Sequence, residues 1–114
     1  MQLSGEHLLI REMAQKFAAE ELMPTAGARD KSAAFPASEL KDMGALGLMG
    51  MLTPEKWGGS EVGHVGCAIV LEEIAAGDGA ISTIASVHNG VGQVPIVDYG
   101  TREQKERFLG SLAS

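Results

Sequence analysis

The sequence predicts an all-α fold, an irregular bundle of about six helices in a single domain over residues 1–114. Three observations carry this. Apolar residues recur at three- and four-residue intervals through most of the chain. Glycines and prolines punctuate those runs at lengths that suit short helices. No pair of alternating polar and apolar runs offers itself as strands, and no internal repeat is visible.

Ser4 is placed to cap a first helix over residues 5–22, with Glu6 in the first turn where a carboxylate complements the helix dipole. Leu9 or Ile10, Met13, Phe17 and Leu22 make its apolar face. Met23-Pro24 is expected to end it, since the residue before a proline is biased away from the α region, and TAGARDKSAA then reads as a connecting loop. Phe35-Pro36 opens a second helix with Leu40, Met43 and Leu46 inward and Gly47 as its stop. The LMGML that follows is either a strand or a buried connector, because periodicity does not separate the two. Thr53 can cap a single turn starting at Pro54, the Gly58-Gly59 pair supplies positive φ, and Trp57 reads as a partly buried anchor beneath that turn.

Gly63 to Ala76 is again helical, with Val65 or Gly66, Ile69, Val70, Ile74 and Ala76 on the apolar side, and Gly77-Asp78-Gly79 breaks it. Ala80 to Asn89 is a helix of small residues suited to close packing and able to border a narrow apolar cleft. Asn89-Gly90 is expected to end it, and Val91 to Tyr99 forms a further short helix with Pro95 in its first turns and Gly100 as its stop. Thr101 to Gln104 reads T-x-x-Q, a capping box that opens a last helix with Phe108, Leu109 and Leu112 as its inner face.

Composition narrows the function classes. Nine basic against fifteen acidic residues give a net charge of −6, which disfavours nucleic acid and anionic membrane surfaces. No apolar stretch is long enough to span a bilayer. The acidic charge near the start argues against a signal peptide or an Arg-rich leader, and a lone cysteine, Cys67, excludes an intrachain disulfide, so a cytoplasmic location is expected.

The residues themselves specify no reaction. Glu72 and Glu73 are adjacent on a helix and diverge by roughly 100°, so they do not converge on one atom. Glu61-Val62-Gly63-His64 is an isolated E-x-x-H without the partners that a di-metal bundle needs. Cys67 sits among Gly66, Ala68 and Ile69 as a small core residue. Gly90-Val91-Gly92 lacks the preceding strand and the third glycine of a dinucleotide loop. No catalytic, cofactor-binding or metal-binding residue is expected in this chain.

The order of segments nevertheless resembles the acyl-CoA dehydrogenase family. IREMAQKFAAEEL followed by Pro24 and Ala26, FPASELKDMGALGLMGMLTPEKWGGSEV, VLEEIAAGD and SVHNGVGQVPIVDYGTREQKERFL keep that family's order and spacing over nearly the whole chain. The resemblance implies the N-terminal helical domain of an oxidoreductase that desaturates acyl-CoA thioesters, in fatty acid or amino acid catabolism. It implies FAD and an electron-transferring flavoprotein as partners of the intact enzyme, which is expected to be a homo-oligomer. The flavin-binding β-domain and the C-terminal helical domain that carries the base are expected to be absent, so this chain alone should bind no flavin and be inactive. It further implies that Thr83, Ile84, Val87 and Val91 line the acyl-chain cavity, with core packing the competing assignment for Ile84 and Val91. A related acyl-CoA oxidase or flavin monooxygenase, or a stand-alone helical interaction module, are the alternatives.

Overall fold

The computed structural model describes residues 2–114, and among them there is no β-strand. Its α segments are α1 (Gly5–Phe17), α2 (Met23–Ser32), α3 (Ala37–Ala45), α4 (Gly63–Gly77), α5 (Gly79–Val87), α6 (Val94–Tyr99) and α7 (Arg102–Ala113). Two π turns fuse four of them: Ala18–Leu22 runs α1 into α2, and His88–Gln93 runs α5 into α6. The result is the expected all-α bundle, built from five continuous rods among the described residues in place of about six helices.

Two expected stops are therefore not stops. The helix continues through Pro24 to Ser32, so TAGARDKSAA is largely helical, and the rod through Asn89-Gly90 continues to Tyr99. One physical reason covers both. A proline inside an α-helix lacks a donor and its ring presses on the carbonyl four residues back. A wide turn placed just upstream removes that conflict: the Met23 N–H reaches the Ala18 carbonyl, five residues back. Pro24 and Pro95 then fall in the first turn of the next α segment, where no N–H is required.

The caps follow the sequence more closely. Ser4 and Thr101 open α1 and α7 in reciprocal capping boxes, the first with His7 and the second with Gln104. Gly47 ends α3 at φ 79°, with Leu48 N–H on the Met43 carbonyl at 2.9 Å and Gly47 N–H on the Gly44 carbonyl at 3.0 Å, a Schellman arrangement. Thr53 does not cap the turn at Glu55–Trp57, which is a 3₁₀ turn without a side-chain cap; its hydroxyl is committed to Gln93 instead. Of the glycine pair only Gly58 has positive φ, whereas Gly59 is required for space, since a Cβ there would collide with the Thr53 carbonyl.

Aliphatic and Met side chains fill the core, as the scarcity of aromatics demands. Ala14, Phe17, Ala18 and Leu22 from the first rod meet Val70 and Ile74 of α4 and Ile81 and Ala85 of α5. The LMGML run resolves as the buried connector: Leu48, Met49 and Met51 plug the centre between α3 and the second π turn. Leu46 and Phe108, inward by periodicity, are exposed. Leu46 sits past the end of α3 on an open groove against α1, and Phe108 borders a shallow cleft with Pro95 and Tyr99. Trp57 is partly buried, as expected, with the Lys56 ammonium 5.5 Å from its ring centroid.

Ala33 closes α2 in the left-handed region at φ 54°, ψ 29°, where a Cβ costs about 1–2 kcal/mol. Ala33→Gly removes that cost against a smaller entropic loss and is expected to raise stability by about 0.5–1 kcal/mol. Urea unfolding measures this, and an unchanged or lowered midpoint would contradict the left-handed cap.

Candidate functional site

The rod from α5 through the second π turn into α6 carries the expected substrate-facing residues, and both of its anchor points are polar. At its start Asp78 stands in extended conformation and accepts from Ala80 N–H at 3.0 Å and Ile81 N–H at 3.2 Å through Oδ1. Its other oxygen, Oδ2, takes Arg29 Nη2 at 2.9 Å and Nε at 3.2 Å. Arg29 also donates to the Leu22 carbonyl at 2.8 Å, to Glu39 at 3.3 Å and to the Thr25 hydroxyl. One guanidinium thus ties together the first π turn, α2, α3 and the elbow between α4 and α5. Side-chain exposures of 12% for Arg29 and 10% for Asp78 make this a largely desolvated pair. Burial alone would raise the Asp78 carboxyl, but the bonds from Arg29, Ile81 and Ala80 and the Arg29 charge outweigh it and hold the carboxyl below its ordinary value.

The second anchor is a pair of buried amides in the π turn. Asn89 donates to the Leu48 carbonyl at 3.0 Å and the Ala85 carbonyl at 2.9 Å, and accepts from Met51 N–H at 2.7 Å. Gln93 donates to the Met49 carbonyl at 2.6 Å and the His88 carbonyl at 3.2 Å, and accepts from the Thr53 hydroxyl at 2.7 Å. Both are buried, so three backbone groups of the 48–53 connector, the Leu48 and Met49 carbonyls and the Met51 N–H, are satisfied by side chains, while the Gly50 and Met51 carbonyls and the Leu48 and Thr53 N–H groups pair with backbone. Beside them His88 Nε2 meets the Leu112 carbonyl at 2.5 Å and fastens α7 to the rod.

Toward and into the second anchor the outward side of the rod presents two valines. Val87 is 52% and Val91 75% exposed, and Thr83 is exposed one turn earlier with its hydroxyl bonded back to the Gly79 carbonyl at 3.1 Å. Ile84 is partly buried and lines an open cleft of about 700 Å³ together with Phe35, Pro36 and Ile81. Thr83, Val87 and Val91 therefore share one face, with Ile84 beside them turned toward that cleft. Such a surface can bind an aliphatic chain by burial, at about 1.5–3 kcal/mol for each fully covered side chain, and offers no group for proton transfer.

The remaining candidates stay dispersed. Glu72 is exposed, while Glu73 turns toward α1 and lies 3.6 Å from Arg11. Glu61 precedes α4 in a left-handed loop position, His64 is exposed on α4, and no three His, Cys, Asp or Glu side chains converge among the described residues. Cys67 is buried, and desolvation pushes its thiol up, away from nucleophilic character. Asn89, Gln93, Arg29 and Asp78 were not singled out by sequence reasoning. A signal for the first two was present: Ile81, Ala85, Asn89 and Gln93 recur every four residues, and all four are buried.

Comparison with known proteins places this architecture. The family model described as acyl-CoA dehydrogenase, N-terminal domain, matches residues 4–114. The chain belongs to this family. It is 37% identical to the short-chain specific acyl-CoA dehydrogenase, mitochondrial, of Bos taurus over 114 residues, all of this chain and 28% of that protein. Among solved structures it is similar to a chain described under the electron transferring flavoprotein of Acidaminococcus fermentans, at TM-score 0.94 and 29% identity, covering 99% of this chain and 30% of that one. It is also similar to an acyl-CoA dehydrogenase complexed with FAD from Bacillus anthracis, at TM-score 0.85 and 32% identity over 98% of this chain and 19% of that one. The chain thus spans less than a third of the length of these relatives.

Because the folded Asp78 carboxyl is held below its unfolded value of about 3.9, its contribution is present above that pH and is lost as pH falls through the folded value. Asp78→Asn keeps a capping oxygen but loses the charge, and is expected to cost about 1.5–3 kcal/mol at neutral pH. The gap to the parent protein should narrow below about pH 4. Urea midpoints measured across that range decide it, and a gap that stays constant into strong acid would refute the ion-pair account.

Proposed function

We propose that this chain is the N-terminal helical domain of an FAD-dependent acyl-CoA dehydrogenase, which desaturates acyl-CoA thioesters between the α and β carbons. Its own contribution is one wall of the acyl-chain pocket, made by Thr83, Ile84, Val87 and Val91. The observation that carries this is the exposed valine face of a rod anchored at its start and its middle, in a chain that matches the family from residue 4 to residue 114. An exposed aliphatic surface on a fixed helix suits a fatty-acyl chain better than a polar ligand.

FAD demands more than this chain offers. Its pyrophosphate needs converging backbone or cationic donors, and the one glycine-rich run on the rod, Gly90-Val91-Gly92, lies inside a π turn instead of following a strand. The family resemblance implies that the flavin and the catalytic base belong to the β-domain and C-terminal domain of the intact enzyme. The Bacillus anthracis relative complexed with FAD supports the cofactor, and the Acidaminococcus fermentans neighbour supports electron-transferring flavoprotein as redox partner. Exposed Tyr99 and Phe108 leave apolar surface for contacts with other domains or subunits, in keeping with a homo-oligomer. The net charge of −6 speaks against nucleic acid, and no helix is long and apolar enough to cross a membrane among the described residues. A cytoplasmic location accords with the single buried cysteine.

The 114-residue chain expressed alone is expected to show no flavin absorbance and no acyl-CoA turnover. In the intact enzyme, Val91→Phe should lower kcat/KM for the longest accepted acyl chain by about 10- to 100-fold and leave the shortest nearly unchanged. Turnover by the isolated chain, or an equal loss at every chain length, would refute the assignment. Stable folding without any dehydrogenase partner domain in the gene would favour the stand-alone interaction module, and oxygen-dependent product formation would favour an oxidase or monooxygenase.

A further inference from the structure

We infer that Asn89, Gln93 and Thr53 are positioning residues for acyl-chain selection: they hold the second π turn open so that Val87 and Val91 stay on the same outward face. This rests on the assignment of those valines to the acyl pocket.

In an α-helix, residues four apart are offset by roughly 40°, so a strict four-residue repeat drifts around the rod by roughly 120° over twelve residues. Ile81, Ala85, Asn89 and Gln93 follow such a repeat and are nevertheless all buried. A wide turn has more residues per revolution and reverses the drift, and the π turn at His88–Gln93 does so at the point where the drift would otherwise carry Gln93 off the core. The same correction acts on the other side, where Thr83, Val87 and Val91 keep the same four-residue spacing and all remain exposed.

A π turn is less favourable than α continuation and persists where side chains take up the displaced backbone groups. Here the two amides bond carbonyls at and just before the turn, that of Ala85 also accepting the His88 N–H. Asn89 Nδ2 donates to the Ala85 carbonyl, and Gln93 Nε2 donates to the His88 carbonyl, the first residue of the turn. The same two nitrogens reach across to the Leu48 and Met49 carbonyls, which fastens the widened turn to the connector. Thr53 sets the orientation of Gln93, because its hydroxyl donates to Oε1 at 2.7 Å and leaves Nε2 as the face toward Met49 and His88. Loss of that donor leaves the amide without its orienting partner, and the turn can relax toward α geometry, which rotates Val91 relative to Val87.

The test uses the intact enzyme and the ratio of kcat/KM for a long over a short acyl-CoA. Thr53→Val keeps side-chain shape and removes the donor; it is expected to change the ratio by about tenfold, mainly through KM, with kcat for the short substrate within about twofold. Thr53→Ser restores the hydroxyl and should restore the ratio. Gln93→Met is expected to shift the ratio further, and should it fail to fold, the Thr53 pair decides alone. Val91→Ala serves as reference. If Val91→Ala shifts the ratio and Thr53→Val lowers only the melting temperature, the positioning role is overturned while the acyl wall stands. If Val91→Ala leaves the ratio unchanged, the acyl wall falls and the positioning role falls with it.

Discussion

The structure depends on how it hides the backbone of residues 48–53. That connector passes through the centre of the bundle with Leu48, Met49, Met51 and Thr53 buried, yet it belongs to no helix or sheet that could pair its amides. A buried backbone group without a partner costs about 1–3 kcal/mol, and several in a row would be prohibitive for a domain of this size. Turns within and beside the connector pair the Leu48 and Thr53 N–H groups and the Gly50 and Met51 carbonyls, and the second π turn supplies the partners of the Leu48 and Met49 carbonyls and the Met51 N–H. Asn89 and Gln93 present both ends of their amides to the connector, so the polar groups of one element are matched by the side chains of another. Packing of α3, the 3₁₀ turn at Glu55–Trp57 and α7 around this point follows from that match. Ser60 completes it, with its hydroxyl donated to the Gly47 carbonyl at 2.6 Å and its N–H to the Gly50 carbonyl at 2.9 Å.

The two long rods solve a shared problem in the same way. Each has inward residues spaced by four, Ala14, Ala18 and Leu22 in the first and Ile81, Ala85, Asn89 and Gln93 in the second. Each has a π turn over that stretch, and each has a proline two residues after the turn ends. Local rules make Pro24 and the Asn89-Gly90 pair terminators when each helix is considered alone. Tertiary packing won. Gly77 shows how close the first rod lies to α4: a Cβ there would stand 2.9 Å from the Ala18 carbonyl. The four-residue repeat was the legible hint, since an uninterrupted α-helix does not keep such a repeat on one side.

The Ser4 and Thr101 caps, the Gly47 stop and the fold class were readable because they depend on a few neighbouring residues with specific chemistry. The long-range polar contacts were not. Arg29 and Asp78 are far apart in sequence, and nothing local marks Arg29 as different from an ordinary solvated cation on a helix. The proposed acyl wall rests on another ground again. Thr83, Ile84, Val87 and Val91 carry no chemistry that distinguishes a pocket wall from a core, and only the resemblance of the whole segment order pointed to them. In the fold Val87 and Val91 are exposed and Ile84 is partly buried, so core packing fits Ile84 better than it fits Val91.

The two polar anchors bear on what such a wall could do. Bulk at a wall position changes selectivity only when the helix cannot move aside, because a retreating helix would absorb an added methylene. Asp78 with Arg29 fixes the start of the rod to two other elements through a largely desolvated ion pair, and the amide pair fixes the middle to the connector. Val87 lies between those points, and Val91 lies within the second. Displacing either outward face would break charged or buried hydrogen bonds worth more than the roughly 1 kcal/mol gained from one better-accommodated methylene. The polar interior of the domain therefore gives its apolar exterior the stiffness that a discriminating wall would need.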